Sequence, residues 1–125
     1  MSVETFADYI LSEKDWIRKM EIVYYLQKRT RIFYDNSVIF KTLLTKLFID
    51  SEDLGVDKNT IITASLLWSC KKELTARDLA KIHSFAKDGA EFLSKLGFSE
   101  SFCRICEGVN RYSGLEPREK ESDIL

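Results

Sequence analysis

Few side chains in this sequence can do chemistry, and their spacing narrows which chemistry. His83 is the single histidine. One imidazole rules out a His-rich metal centre built from this chain alone, and it leaves one candidate base for Ser/His or Cys/His catalysis. The cysteines are Cys70, Cys103 and Cys106. Cys103-Arg-Ile-Cys106 is a C-x-x-C, and with Cys70 and His83 a three-cysteine, one-histidine zinc set can be written. The pair falls mid-helix between Phe102 and Val109, where neither a zinc turn nor a thioredoxin-like βαβ unit would put it. The favoured reading is therefore of reduced thiols packed as small apolar residues. Asp50, Glu52, Asp53 and Asp57 form the densest carboxylate cluster, in a loop. Lys14, Arg18, Lys19, Lys28, Arg29 and Arg31 stand against only Asp15 and Glu21, with Tyr24, Tyr25, Phe33 and Tyr34 beside them. Such a basic, aromatic face suits nucleic acid or a phosphorylated ligand. A solvated helix face whose long stems cover apolar core is the favoured alternative, because the net charge is −1.

The elements that position these groups follow from composition. The chain has 125 residues, 45% apolar and 31% charged, which is one globular domain's worth. Five Gly and one Pro are too few for a turn-rich β-sandwich and favour long helices. No apolar run reaches the roughly 20 residues of a membrane span. The early acids in Met-Ser-Val-Glu-Thr-Phe-Ala-Asp do not make a signal peptide. A cytoplasmic protein is expected, with no membrane association.

Helical spacing runs through nearly the whole chain. Ser2 is placed to cap a short helix carrying Phe6, Tyr9 and Ile10. Ser12 with Asp15 resembles a capping box opening a helix to about Arg31, with Trp16, Met20, Val23 and Leu26 or Tyr24 inward. Asp35 or Asn36 caps the next, where Phe40, Leu43, Leu44, Leu47 and Phe48 make the cleanest amphipathic stripe, the pattern of a core-facing helix. Asp57 opens a central, mostly buried helix through Ile61, Ile62, Leu66, Leu67 and Trp68. Thr75 leads into Leu79, Ile82 and Phe85, and the helix holding Ala90, Phe92, Leu93 and Leu96 ends at Gly97. Ser99 caps a helix with Phe102, Ile105 and Val109, and Pro117 is placed at N1 of a last one. Tyr24-Tyr25 and Phe33-Tyr34 are read as a seam between the N-terminal helices and the core, or as a dimer surface. An apolar face begins at Ile124-Leu125 just as the chain stops, which is read as a fragment's end or as residues that dock elsewhere. The expected fold is an all-α, compact bundle of about six to eight helices.

Four stretches in order then resemble the HD superfamily of helical metal-dependent phosphohydrolases, nearest its HD-GYP and HDOD-like branches. Ala64-Ser-Leu-Leu-Trp-Ser-Cys-Lys-Lys72 stands where the family has Ala-x-Leu-Leu-His-Asp-Ile-Gly-Lys. Phe85-Ala-Lys-Asp-Gly-Ala-Glu-Phe-Leu93 is similar to His-x-x-x-Gly-Ala-Glu-x-Leu, and Leu96-Gly-Phe-Ser99 to Leu-Gly-Phe-Ser/Pro. Ile105-Cys-Glu-Gly-Val-Asn-Arg-Tyr-Ser-Gly114 occupies the frame of Ile-x-x-x-His-His-Glu-Arg-Tyr-Asp-Gly. The resemblance implies an N-terminal helical extension over residues 1–35 packed on an HD-like domain over 36–125.

The departures fall on the ligands. Asn36, Trp68, Ser69, Phe85, Gly108 and Val109 stand where the resemblance implies metal-binding His and Asp, and a closing Asp would lie beyond Leu125. Trp, Phe, Gly and Val side chains donate nothing to a cation, and Trp68 would fill the metal's space. His83 is two residues out of register with Phe85, a rotation of about 200° on a helix. No catalytic residue, metal ligand or cofactor is expected. The implied function is a non-catalytic HD-like module with a regulatory, signalling or protein-interaction role, with a protein partner or self-association. A divergent phosphohydrolase or phosphodiesterase, and a nucleotide sensor that binds without cleaving, are the alternatives. Arg29, Arg31, Tyr34, Arg111 and Tyr112 are the candidate ligand or interaction surface, with nucleic acid not the expected partner.

Overall fold

The structure, a computed structural model, describes residues 5–52, 54–72, 84–109 and 119–125. Seven α-helices and no strand occur among the described residues, so the chain is an all-α bundle. The helices are α1 (Phe6–Ser12), α2 (Trp16–Thr30), α3 (Asn36–Ser51), α4 (Lys58–Leu67), α5 (Phe85–Lys95), α6 (Glu100–Val109) and α7 (Lys120–Ile124). No described helix is long and apolar enough to cross a membrane.

Short polar side chains start most of these helices, because the first N–H groups of a helix need acceptors from outside it. Thr5 and Asp8 form a reciprocal capping box at α1. The Asp15, Asp35 and Asp57 carboxylates accept from the first turns of α2, α3 and α4, and Ser99 Oγ accepts from Phe102 N–H in α6. The α1/α2 boundary differs from expectation. Ser2 lies outside the described residues, and Ser12 ends α1 by donating back to Tyr9 O at 2.9 Å, leaving Asp15 to open α2. Gly97, at φ +99°, ends α5 with the bonds Gly97 N–H to Ser94 O and Phe98 N–H to Leu93 O. Thr75, Leu79, Ile82 and Pro117 lie outside the described residues.

α4 is the centre of the bundle. Every residue from Ile61 to Leu67 is buried, and α1, α2, α3 and α6 pack around it. Ile10, Val23 and Ile32 from the N-terminal stretch share one continuous core with Ile61, Leu66, Leu93 and Cys106. Tyr24 and Tyr25 are exposed, so they do not form the expected seam with that core; Phe33 is half-buried and Tyr34 buried.

The stripe on α3 is the main correction. The buried residues of α3 are Val38, Thr42 and Ile49, whereas Phe40, Leu43, Leu44, Leu47 and Phe48 are between 37% and 60% exposed. At 100° per residue the two sets lie on opposite sides of the helix. The side carrying the strongest apolar pattern faces outward.

Candidate functional site

Two of the positions implied to hold a metal, Trp68 and Phe85, pack on one another. Trp68 closes α4, and its ring lies 5.8 Å from that of Phe85 at an interplanar angle of 38°. Phe85, Ser69 and Gly108 are buried and Val109 is half-buried. Buried Gly89 of α5 lies against the Trp68 carbonyl and Cys70, where an added Cβ would meet Trp68 O at 3.5 Å and Cys70 Sγ at 3.4 Å, ordinary contact distances. Between Trp68 and the first turns of α3 a gap of about 10 Å³ remains, walled by Phe33, Ser37, Val38, Lys41, Ser65, Ser69 and Lys72. That is the volume of about one water. Asn36 is exposed at the start of α3 and does not wall this gap.

The thiols sit in the core as expected. Cys70 and Cys106 are buried, and burial pushes Cys70 up to about 12 and Cys106 well above the ordinary thiol range. Cys103, part-buried on α6, is also raised by burial. A thiolate is the nucleophile and the metal ligand, so these environments favour the inert form. Among the described residues no three His, Cys, Asp or Glu side chains converge as a metal-holding group. Of the carboxylates expected in one loop, Asp50 lies instead in the last turn of α3, Glu52 is exposed at its C-cap, and Asp57 caps α4. Asp50 accepts from Lys46 and Lys58, which hold it below the usual carboxylate range. Asp57 accepts from Asn59 N–H and Thr60 Oγ, and Asp53 lies outside the described residues.

Of the candidate surface, Arg29, Arg31 and Tyr34 lie among the described residues, and Tyr34 departs from expectation. Arg29 and Arg31 are exposed, with Arg31 closing α2 in a left-handed conformation. Tyr34 is buried, not on the surface; its hydroxyl donates to Met20 O at 3.3 Å, and burial raises it to about 12. The ring is core because the chain turns inward after α2, with Gln27 Nε2 donating to Tyr34 O at 2.8 Å. Arg111, Tyr112 and His83 lie outside the described residues.

Lys19 is the second correction, since it was placed on a solvated face. It is 1% exposed, and its ammonium donates to Ile10 O at 2.6 Å and Thr63 Oγ1 at 2.8 Å. Desolvation lowers it to about 8, against the pull of Glu13 and Asp57. It helps form a cleft of about 360 Å³ with Trp16, Lys46, Asp50, Asn59 and Ile62. The wall has a structural purpose. The last carbonyls of α1 are taken by side chains in turn: Tyr9 O by Ser12, Ile10 O by Lys19, and Leu11 O by Asn59 Nδ2 at 2.6 Å. A cation there also suits the negative end of the helix.

The outer side of α3 presents five large apolar side chains to solvent. Its edge borders a hollow of about 300 Å³ formed by Lys41, Leu44, Thr45, Ser65, Trp68 and Leu125. Neither the stripe's exposure nor the burial of Lys19 could be taken from type and spacing alone; an apolar pattern on both sides of one helix was the available signal for the first. Compared with family models, with curated proteins and with solved structures, the chain has no match.

Proposed function

We propose that this chain is a non-catalytic helical module, built on an HD-like scaffold, that acts by binding a protein through the outer face of α3 in a regulatory or signalling role. The observation that carries the reading is the exposure of Phe40, Leu43, Leu44, Leu47 and Phe48 on one side of one helix. Side chains of this size present roughly 200 Å² each, so five near half exposure give about 500 Å² of contiguous apolar surface. The largest apolar patch on a soluble monomer is typically about 300–600 Å² and is often functional.

Two further features support a binding role over catalysis. The rings of Trp68 and Phe85 pack 5.8 Å apart, so two positions read as metal ligands carry packed aromatic rings in place of donors. Burial raises all three thiols, away from the thiolate that nucleophilic chemistry needs. The test is metal analysis of the purified protein together with phosphodiesterase assays in the presence of iron, manganese or zinc. Absence of both stoichiometric metal and turnover is expected; metal-dependent turnover would overturn the reading.

A further inference from the structure

The geometry points to a second copy of this chain as the occupant of the α3 face, packed antiparallel about a two-fold axis between Leu43 and Leu44. This rests on the binding role proposed above and names its partner. A helix side this apolar is one that becomes covered. α3 is apolar on two opposite sides, parted by Lys41 and Lys46: Val38 and Ile49 are covered by the bundle, while Phe40, Leu43, Leu44, Leu47 and Phe48 lie open.

Area is the first argument. About 500 Å² on each copy gives about 1,000 Å² of apolar surface buried in all, the threshold for a specific interface before any rim contacts are added.

The order of residues along α3 is the second. Outward from its middle the helix reads Leu43 and Leu44, Thr42 and Thr45, Lys41 and Lys46, Phe40 and Leu47, Ile39 and Phe48, Val38 and Ile49. An antiparallel two-fold sets each residue at the height of its counterpart. Leu43 then meets the second copy's Leu44, and Phe40 meets the second copy's Leu47. Each seam layer holds two Leu or one Phe with one Leu, so the layers have similar volumes and the helices can pack evenly along their length. The contact is isologous and closes at two copies.

The hollow is the third. Phe48, Leu44, Lys41 and Thr45 lie on one flank of α3, and a two-fold keeps like flanks together. It carries the second copy's Phe48 to the height of Ile39. Helical side chains lean toward the N-terminus, which brings that ring over the hollow of about 300 Å³ beside Trp68. Each copy supplies the knob and the hole.

Sedimentation velocity at about 100 μM protein tests the pairing, in a range where micromolar affinities register. A dimer is expected, and Leu44→Lys is expected to weaken it roughly a hundredfold while leaving the thermal melt of the dilute protein unchanged. Orientation is read by cysteine crosslinking: Phe40→Cys mixed with Leu47→Cys crosslinks as a pair, and Phe40→Cys alone does not. A wild-type monomer, a dimer indifferent to Leu44→Lys, or self-crosslinking of Phe40→Cys would each overturn the proposal. A monomer without turnover removes the second copy and leaves the α3 face to a different protein. Metal-dependent turnover instead removes the non-catalytic reading, whatever the oligomeric state.

Discussion

At the scale of single residues, Lys19 shows how a charge comes to be buried without a ligand to recognise. Its ammonium joins α2, α1 and α4 through Ile10 O and Thr63 Oγ1, and Thr63 in turn donates to Asn59 O. Lys19→Met keeps the length of the stem and removes the donors. A loss of about 2–3 kcal/mol is expected by denaturant unfolding, since a carbonyl at the end of α1 loses its partner. The pH dependence has a definite sign. Unfolded, the amine keeps its proton up to about 10.5, but folded only up to about 8. Between those values the unfolded state binds more protons, so this group's contribution to stability rises with pH. The stability gap between wild type and Lys19→Met should widen from pH 8 to pH 10, and a gap that narrows would contradict the assignment. The cysteines make the opposite case. Their burial was legible because they alternate with apolar residues at helical spacing, and the structure adds a reactivity. In the native protein at pH 8 a thiol reagent should label Cys103 slowly, and Cys70 and Cys106 only on unfolding, as read by mass spectrometry; rapid labelling of all three would sink this. Lys19 was illegible because its partner is the end of a different helix, and no local spacing encodes that.

At the scale of elements, helix ends were legible wherever the capping group is local. Asp57, Ser99 and Gly97 act within a few residues of themselves, and each ends or starts a helix where its type predicts. Gly97 carries a second constraint from far along the chain. A Cβ on it would lie 2.6 Å from Thr5 Cβ, in addition to the left-handed φ of +99°. Left-handed backbone costs roughly 1–2 kcal/mol for a residue with a Cβ. Gly97→Ala should therefore destabilise by about 2–3 kcal/mol once the clash is added, and a melting curve within error of wild type would refute it. α3 marks the limit of such reading. Periodicity finds an apolar side but cannot say whether bundle or partner covers it, because both bury the same kind of surface. Substitution separates the two sides. Ile49→Ala, on the core side, is expected to cost about 2–4 kcal/mol. Leu47→Ala should fall within about 0.5 kcal/mol when measured in dilute protein, where the face is open to water. Equal losses at both positions would mean that α3 is buried on its outer side within one chain.

At the scale of the whole molecule, scarcity of Gly and Pro made the all-α class legible, while the pairing of helices was not, since every helix carries apolar residues that could face several others. What the assembled bundle adds is a ring contact at the end of its central helix. Trp68 and Phe85 touch where α4 ends and α5 begins, and α6 packs on both helices. Packing of these rings and a bound ion are two sources of stability that respond differently to experiment. A resident cation of micromolar affinity, supplied at a hundred times its dissociation constant, would add about 2.7 kcal/mol and raise the melting temperature by several degrees. With packing as the source, millimolar Mg²⁺ or Mn²⁺ should leave the melting temperature where it is. Phe85→Ala, by contrast, opens a cavity against Trp68 and should cost about 3–5 kcal/mol. Both measurements come from the same thermal melts, and the combination decides: a clear rise with Mn²⁺ alongside a mild Phe85→Ala would place the stability in a metal centre and not in the packing of these rings.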